Sequence, residues 1–452
     1  MTDAAVAGPS IGGAAIARGD RADTIHALAS GPPPAGVAVI RVSGPRVQGI
    51  VRDWIGRDLP PRRATLVHLT DREDARLDDA LALLFAAPAS FTGEDVLELH
   101  LHGGPAVIAA TLRRLDALGS RRAEPGEFTM RAFLNGRVDL IEAERLGDLI
   151  EAETEAQRAF AASDRGARNL ELYRSWRKAL IDARALLEAS LDFADEEDAP
   201  EDVAHEVSDA LEKIAEAIDT HLAGARASEI VRRGYRVALA GPPNAGKSSL
   251  LNALAEREVA IVTPVPGTTR DALDVVLDCD GYRVVLTDTA GLRETDDEVE
   301  QIGIDRTRRT MERAHCVLWL DPVDGTSVEP PARPTVLRIA TKIDLLSEEE
   351  TLVGDLAVSA VTGEGLSELG TKLGALASSA SRTERAVPVS ERHERHLRAV
   401  CDHLTKARDE RVRAEIAAEE IAGAALELGR IVGATDIEEV YGAIFSRFCM
   451  GK

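Results

Sequence analysis

One short segment constrains the fold of this 452-residue chain more than any other: an apolar run that ends in a glycine-rich loop. Tyr235–Ala240 predicts a buried strand, and Gly241 and Gly246 follow at the spacing of a phosphate-binding loop. Lys247 then begins a helical pattern, so backbone N–H groups of the loop would face phosphates in front of a helix N-terminus. A chance match in a glycine-rich turn leaves the flanking strand and helix unexplained. The segment therefore predicts a nucleotide-binding α/β domain.

The residues beside this loop are of the types that hold phosphates and magnesium. Lys247 can reach the β- and γ-phosphates as a point charge, and the Ser248 hydroxyl can coordinate magnesium. Downstream, Asp288 follows the apolar strand Arg283–Thr287, where its carboxylate can hold the hydration shell of the magnesium ion. The Gly291 N–H, at the end of the same Asp-Thr-Ala-Gly motif, can sense the γ-phosphate.

A further polar motif, Thr341-Lys342-Ile343-Asp344, follows the predicted strand Val336–Ala340. The Asp344 carboxylate can accept hydrogen bonds from the ring N–H and the exocyclic amine of guanine, and adenine offers neither in that pattern. Thr341 stands where Asn is usual, and we expect guanine preference to survive this change. Ser359-Ala360 follows another short strand and would complete the base pocket. Together these motifs predict a GTPase.

The switch segments of this GTPase lie between and after the phosphate motifs. In Gly267-Thr268-Thr269-Arg270-Asp271, Thr269 can reach magnesium, although the string alone would also suit a polar loop. Leu292 occupies the position where many switch GTPases place a Gln that orients the attacking water. An aliphatic side chain cannot position water, so catalysis must draw on another group, from this chain or from a partner. The acidic run Glu294–Glu300 offers candidates, or is a solvated loop.

Length and periodicity predict several domains, because one domain takes about 100–200 residues. Strand-like runs such as Val96–His100 are interrupted by Gly and Pro, whereas Leu180, Ala183 and Leu187 recur at helical spacing. The predicted fold is multidomain: an α+β N-terminal domain, an all-α helical domain, and an inserted α/β P-loop GTPase domain. The predicted limits are a flexible extension (1–22), the N-terminal domain (23–138), helical parts (139–230 and 381–452) and the GTPase domain (231–380).

Composition narrows the classes of partner and compartment. The net charge of -23 repels nucleic acid as a whole-molecule effect, so an RNA partner would have to meet a local basic patch. No stretch reaches the roughly 18 apolar residues of a membrane-spanning helix, and the first residues do not have the pattern of a secretory signal. The cysteines lie far apart and support neither a disulfide framework nor a zinc site, so a protein of the reducing cytoplasm is expected. The four cysteines are Cys279, Cys316, Cys401 and Cys449.

Three strings outside the predicted GTPase domain make the pattern highly specific. They are Ser90-Phe91-Thr92-Gly93-Glu94-Asp95, Pro125-Gly126-Glu127-Phe128-Thr129 with Arg131-Ala132-Phe133-Leu134-Asn135, and the terminal Phe448-Cys449-Met450-Gly451-Lys452. With these strings the chain resembles the MnmE (TrmE) family of tRNA-modification GTPases from about Asp23 to Lys452. The resemblance implies a homodimer that acts with the FAD-carrying flavoprotein MnmG. The pair would add an aminomethyl-type or carboxymethylaminomethyl group to carbon 5 of the wobble uridine of certain tRNAs.

The resemblance also implies potassium beside the phosphates, where it promotes pairing of two GTPase domains and replaces an arginine finger. Asn244 would bind this ion through its side chain, and Thr263, Val265 and Thr268 would supply oxygens. Glu300 matches the water-orienting glutamate of the family, which would fill the gap left by Leu292. The implied GTP-binding positions are Asn244, Ala245, Gly246, Lys247, Ser248, Ser249, Thr263, Pro264, Val265, Pro266, Gly267, Thr268, Thr269, Asp288, Thr289, Ala290, Gly291, Thr341, Lys342, Asp344, Ser359 and Ala360.

The N-terminal domain resembles a module that binds a one-carbon derivative of tetrahydrofolate, and the resemblance also implies that this domain pairs two copies of the chain. The matching folate positions are Arg41, Glu98, Arg137 and Lys452, with Arg137 standing where Lys is more usual. The family has a basic, glycine-rich loop where this chain reads Ser30–Gly36. Cys449 is either an ordinary thiol or, by the resemblance, a catalytic group near the folate. His100 and His102 share one face of a strand, and a structural or pocket-lining role is preferred to metal binding.

Two other functions remain open at this point. One is a ribosome-assembly GTPase, although no second phosphate loop is present and the terminal string argues against it. The other is a purely regulatory switch, which the folate-matching residues oppose. For tRNA contact the sequence offers two basic helix faces, which could equally be solvated surfaces; they are Arg174, Arg177, Lys178 and Arg184, and Arg392, Arg395 and Arg398.

Overall fold

The computed structural model describes residues 23–192, 203–256, 260–261, 274–288, 309–325, 329–330, 335–346, 354–382, 387–388, 390–409, 413–434 and 451. The chain divides into two compact units. The first consists of Met1–Gly147 and Ala425–Lys452, and the second of Asp148–Ala424.

A six-stranded sheet forms the centre of the first unit. Its strands lie in the order β3-β4-β5-β2-β1-β6; β1 and β6 pair in parallel, and the other neighbours pair antiparallel. The two long central strands, β2 and β5, carry the residues of the proposed folate site. The strands are β1 (Ile25–Leu28), β2 (Ala35–Ser43), β3 (Thr65–Thr70), β4 (Arg76–Phe85), β5 (Val96–Gly103) and β6 (Arg121–Arg122).

Helical segments pack against both faces of this sheet. They are α1 (Val47–Ile50), continued by a π-turn (Val51–Ile55), α2 (Pro105–Ala117), α3 (Glu127–Leu134) and α4 (Leu140–Glu151). Ile40 and Leu99 are fully buried in the core that α2 completes with Leu115. Because side chains alternate across a strand, the neighbouring Arg41 and Glu98 face the opposite side of the sheet. The α+β fold expected for this region is confirmed.

Two stretches of helix on either side of an α/β region make up much of the second unit. Along α7, Leu211, Ile214 and Ile218 are buried at spacings of three and four residues, which is the pattern of a helix with one apolar face. Helix α7 packs against both α6 and α11. The helices are α5 (Glu155–Ala162), α6 (Arg165–Asp192), α7 (Val203–Leu222), α8 (Ala225–Arg233), α9 (Lys247–Ala255), α10 (Leu366–Ser381), α11 (Glu391–Ala407) and α12 (Ala414–Val432).

Side chains far apart in sequence join the two helical stretches. The Asn169 amide donates a hydrogen bond to the Val387 carbonyl at 2.8 Å, and the Ser228 hydroxyl donates to the Pro388 carbonyl at 2.6 Å. The first donor is on α6 and the second on α8, whereas both acceptors directly precede α11. The helical domain is therefore discontinuous, and the α/β domain is inserted into it as the sequence predicts.

The inserted domain contains a second six-stranded sheet, in the order β12-β11-β10-β7-β9-β8. Neighbouring strands are parallel except for the β8–β9 hairpin. Helices α9 and α10 contribute to the core of this sheet through residues such as Leu250 and Leu369. The strands are β7 (Tyr235–Ala240), β8 (Asp274–Cys279), β9 (Tyr282–Asp288), β10 (Cys316–Pro322), β11 (Val336–Thr341) and β12 (Leu356–Val358). The α/β fold predicted for this domain is confirmed.

The helices were also compared with the length and hydropathy of a membrane span. Among the residues that the structure describes, no helix combines sufficient length with sufficient apolar character to cross a bilayer.

Candidate functional site

The glycine-rich loop joins β7 to α9 at the carboxyl end of the parallel sheet, where ligands of such folds bind. Gly241 has a φ of +147°, and a Cβ atom there would lie 2.5 Å from the Leu320 carbonyl oxygen, so only glycine allows this approach to β10. Asn244 and Gly246 have φ values of +61° and +89°. These turns bring the loop to the N-terminus of α9, as the sequence pattern predicts.

Lys247 lies over this loop. Its Nζ donates hydrogen bonds to the carbonyl oxygens of Gly241 at 3.0 Å and Pro242 at 2.9 Å. Burial lowers the pKa of the Lys247 ammonium, and the Asp288 carboxylate opposes that shift. A partly desolvated cation held above a phosphate loop is suited to interact with phosphate oxygens.

Two of the three residues expected near magnesium, Ser248 and Asp288, lie in contact. Asp288 is the last residue of β9, which pairs with β7, so the strand end lies beside the phosphate loop. The Ser248 hydroxyl donates to the Asp288 carboxylate at 3.3 Å. A hydroxyl and a carboxylate are hard oxygen donors of the kind magnesium prefers, so this pair fits the ion in its chemistry.

Two side-chain hydrogen bonds hold the base motif in place, one at Asp344 and one at Thr341. The Ser359 hydroxyl donates to the Asp344 carboxylate at 2.5 Å, and Ser359 itself accepts from the Val361 and Thr362 N–H groups. The Thr341 hydroxyl donates to the Ala245 carbonyl at 2.7 Å. The structure thus brings the base motif, the Ser359-Ala360 turn and the phosphate loop to the same edge of the sheet.

Asp324 is a neighbour of the base motif that the sequence analysis did not identify. The Lys342 ammonium donates to both of its carboxylate oxygens, at 2.9 and 2.8 Å. Lys342 has a φ of +62°, and the ion pair holds its side chain across the end of the sheet. The position of Asp324 in the sequence could have identified it, because it follows β10, and β10 pairs in parallel with β11, which precedes Lys342.

In the first unit, two of the predicted folate positions, Arg41 and Glu98, form an ion pair. They lie opposite each other in register on β2 and β5, and the Arg41 guanidinium donates to one Glu98 carboxylate oxygen from Nε at 3.0 Å and Nη2 at 2.9 Å. The guanidinium also lies 5.7 Å from the ring centres of Phe91 and Phe128. Charged groups beside aromatic rings can accommodate a flat, polar heterocycle.

Arg137, another predicted folate position, is exposed and lies beside the Gly93 turn. A Cβ atom at Gly93 would lie 3.2 Å from the Arg137 Cγ, so the Arg137 stem crosses directly over the Gly93 turn. Gly451, from the terminal string, lies against the Leu28 carbonyl at the end of β1. Residues from all three family strings therefore occur in the first unit.

A buried charge network, which the sequence analysis missed, joins two of those strings. The Arg131 guanidinium contacts the carboxylates of Asp23 at 2.6 Å, Glu127 at 3.0 Å and Glu94 at 3.2 Å. Burial acts to raise the pKa of Glu127, but hydrogen bonds from Arg121 and from the Glu124 N–H outweigh it and hold that pKa below its ordinary value. The network is part of the fold beside Arg41 rather than a separate site.

The two histidines on β5 make separate contacts. His102 Nδ1 lies 2.7 Å from a carboxylate oxygen of Asp78, and His100 Nε2 lies 3.7 Å from a carboxylate oxygen of Glu98. Within the described part of the chain, no group of three or more His, Cys, Asp or Glu side chains could hold a metal ion.

The basic helix faces are partly neutralised by acidic neighbours. Lys178 pairs with Asp182 at 3.0 Å and Arg184 with Glu188 at 2.8 Å, in each case one helical turn away. Arg398 likewise pairs with Glu394. These contacts are those of a solvated helix surface.

Several predicted site residues lie outside the described residues. They are Thr263, Pro264, Val265, Pro266, Gly267, Thr268, Thr269, Thr289, Ala290, Gly291, Leu292, Glu300, Cys449 and Lys452. The predictions for these positions stay predictions.

Comparison with known proteins relates both units to characterised sequences. A family model described as the N-terminus of the GTP-binding protein TrmE matches residues 24–137, and one described as the MnmE helical domain matches residues 140–449. Three similar proteins are named tRNA modification GTPase MnmE. They come from Mesorhizobium japonicum (48% identity, covering 95% of this chain and 99% of the relative), Hyphomonas neptunium (46%, 95% and 99%) and Agrobacterium fabrum (46%, 96% and 100%).

Proposed function

The chain belongs to the MnmE (TrmE) family of tRNA modification GTPases, and from that premise we propose how its two units share the work. It is a GTP hydrolase that takes part in tRNA modification. We propose that the second unit binds and hydrolyses GTP while the first binds a one-carbon derivative of tetrahydrofolate. With MnmG, which carries FAD, it would add an aminomethyl or carboxymethylaminomethyl group to carbon 5 of the wobble uridine.

One observation carries the GTP part of this proposal: the phosphate loop, Asp288 and Asp344 lie at the same edge of one parallel sheet. Lys247 would bind the phosphates, Ser248 would hold magnesium together with Thr269, and Asp344 would read guanine. The remaining contacts would come from the other GTP-binding positions named from the sequence. Glu300 would orient water in place of the Gln that Leu292 replaces.

For potassium, the support is the exposed Asn244 in the phosphate loop, held at a positive φ. Its side chain would bind the ion with oxygens of Thr263, Val265 and Thr268. A cation at this position would offset charge on the phosphates, a task that an arginine finger performs in other GTPases. Two GTPase domains would pair across this ion, within a homodimer that the N-terminal domains (23–138) also join.

The test compares GTP hydrolysis by the purified protein in potassium and in sodium buffer at equal ionic strength. We expect faster hydrolysis in potassium, and we expect Asn244→Ala to reduce the difference between the two buffers. Equal rates for the unaltered protein in the two buffers would contradict a potassium-dependent mechanism.

For the folate, the support is the Arg41 and Glu98 pair beside two phenyl rings. The Glu98 carboxylate can accept hydrogen bonds from a pterin ring, and Arg41, Arg137 and Lys452 can balance the acidic groups of a folate. Bound there, a tetrahydrofolate derivative would supply the one-carbon unit. Glu98→Gln should weaken binding of a formylated tetrahydrofolate at least tenfold, and Arg76→Met, an exposed change on the same sheet, should not. Equal affinities would contradict the assignment.

The terminal tail and the remaining assignments complete the proposal. Deleting the last four residues should leave GTP hydrolysis intact and abolish uridine modification if Cys449 takes part in the chemistry. Unchanged modification would refute that role. We further propose a cytoplasmic location, tRNA and MnmG as partners, and the domain limits predicted from the sequence. Family membership favours this function over a ribosome-assembly GTPase or a switch without a part in modification.

A further inference from the structure

One residue of the base motif is bonded to the phosphate loop. Thr341 ends β11 and is almost fully buried, and its hydroxyl donates to the Ala245 carbonyl at 2.7 Å across a sequence separation of 96 residues. The Thr341 backbone is fixed independently, because its carbonyl accepts from the Val323 N–H at 3.1 Å and its strand pairs on both sides. The sheet therefore sets the position of the hydroxyl, and the hydroxyl sets the position of the loop.

This bond has a direct effect on the next peptide group. The peptide between Ala245 and Gly246 is planar, and in a trans peptide the C=O and the N–H point in opposite directions. Anchoring the Ala245 carbonyl to Thr341 thus directs the Gly246 N–H away from the Thr341 hydroxyl. Gly246 directly precedes Lys247 and α9, where backbone N–H groups face bound phosphates.

The same bond limits what Thr341 can offer to a base. A hydroxyl has one proton, and a carbonyl oxygen can only accept, so the proton of Thr341 is committed to Ala245. The side chain then presents only lone pairs to a ligand. An amide has two N–H groups, so an Asn at this position could bond the loop and still donate to a base.

Guanine chemistry indicates which base atom is affected. The nucleotide sugar, which leads to the phosphates, is attached to the five-membered ring, and the other nitrogen of that ring is N7. A residue anchored to the phosphate loop therefore faces the sugar-bearing end of the base, which has N7 on one side and N3 on the other. Asp344 would read the ring N–H and the exocyclic amine on the N3 side, which leaves the N7 side to Thr341. N7 is a hydrogen-bond acceptor, and a lone pair of Thr341 cannot bond to it.

We propose that Thr341 is a positioning residue that holds the phosphate loop and leaves the N7 atom of guanine without a protein donor at this position. This inference rests on the proposed GTP site. Base discrimination then falls on Asp344, which the Ser359 hydroxyl holds at 2.5 Å.

The first test compares GDP with 7-deaza-GDP, in which a C–H group replaces N7. Isothermal titration calorimetry on the full-length protein should give dissociation constants that agree within about twofold for the two nucleotides, because no hydrogen bond is lost. Thr341→Asn should prefer GDP by roughly fivefold to tenfold, the value of one neutral hydrogen bond. If the unaltered protein prefers GDP by as much as the Asn variant does, the inference is wrong.

The second test separates positioning of the loop from general stability. Thr341→Val keeps the side-chain shape but removes the proton, and should weaken GDP and 7-deaza-GDP equally, by about tenfold. It should leave the inhibition constant of guanosine, which has no phosphates, unchanged in competition experiments. Thr341→Ser should restore GDP affinity. Equal losses for guanosine and GDP, or failure of Ser to restore binding, would overturn the positioning role.

The outcomes also distinguish this inference from the function on which it rests. If the unaltered protein binds neither GDP nor GTP, the proposed GTP site fails and the inference falls with it. If it binds both GDP and 7-deaza-GDP but discriminates between them, only the inference fails. Should the Val variant not fold, the Ser and Asn variants carry the comparison.

Discussion

Replacing Arg131 with Met tests the buried charge network of the first unit. The Arg131 side chain is 8% exposed and contacts three carboxylates, from Asp23, Glu94 and Glu127. These partners come from the start of the sheet and from two of the strings that surround Arg41. The variant would keep most of the side-chain volume while leaving the carboxylates without this guanidinium.

The expected cost follows from burial. Removing one partner of a buried ion pair costs about 3–5 kcal/mol, because the remaining charge is left in a poorly solvated position. Arg121 still contacts Glu127 at 2.6 and 2.8 Å, so the cost should fall near the lower limit, about 3 kcal/mol. For a unit of this size, 1 kcal/mol shifts the unfolding midpoint by roughly 2–4 °C, which predicts a fall of about 6–12 °C.

Differential scanning calorimetry on the full chain measures this fall. Arg76→Met is the matched control, since Arg76 is 70% exposed and pairs with Asp79 on the surface of the same sheet. Exposed pairs contribute little, so its midpoint should stay close to that of the unaltered protein. A midpoint for Arg131→Met that is no lower than that of the control would refute the reasoning.

Three further predictions concern acid stability, the phosphate loop and the helical domain. Burial lowers the pKa of His26 to about 4, so its neutral form stabilises the fold. The free energy of unfolding should therefore fall as the pH drops from about 6.5 toward 4. His26→Gln should reduce this fall when the free energy is measured by urea unfolding at each pH. An equal fall in the variant and the unaltered protein would contradict the prediction. Gly241→Ala places a Cβ 2.5 Å from a backbone oxygen of β10 and should weaken GDP binding at least tenfold. Gly370→Ala, whose Cβ meets no atom within 4 Å, should leave the affinity unchanged. Equal affinities of the two variants for GDP would count against the loop geometry. Asn169→Ala leaves the buried Val387 carbonyl without its donor at 2.8 Å. The free energy of unfolding in urea should fall by about 1–3 kcal/mol. Ser175→Ala, on the exposed side of α6, should change this free energy little.

Much of the fold could be predicted because the responsible signals are local. The apolar run Tyr235–Ala240 ends at glycine, and it forms β7 with the predicted limits. The predicted strand Val336–Ala340 extends by one residue to Thr341, because Thr341 pairs with strands on both sides. Helical spacing likewise identified Leu180 and Leu187, which are buried on α6.

The contacts within the sites could not be predicted, because they join residues that are distant in sequence. A threonine hydroxyl can find a hydrogen-bond partner in many folds. Only the parallel pairing of this sheet brings the Thr341 hydroxyl to the Ala245 carbonyl. Asp324 lies beside Lys342 for the same reason. For Arg131, the contact with Glu127 is local, one helical turn away, but the contacts with Asp23 and Glu94 join distant parts of the chain and have no sequence signal.

The discontinuous helical domain has a consequence for synthesis on the ribosome. Helix α7 ends at Leu222, but its neighbour α11 begins only at Glu391, about 170 residues later. At translation rates of about 5–20 residues per second, the ribosome needs roughly 8–35 s to reach α11, and the apolar face of α7 lacks this neighbour during that time. The inserted GTPase domain is complete before then and can fold first, which brings the two ends of the helical domain together. A nascent chain that stalls after the GTPase domain would thus contain a folded GTPase domain and an incomplete helical domain. The apolar face of α7 would be exposed in it, and chaperones bind exposed apolar surface of this kind.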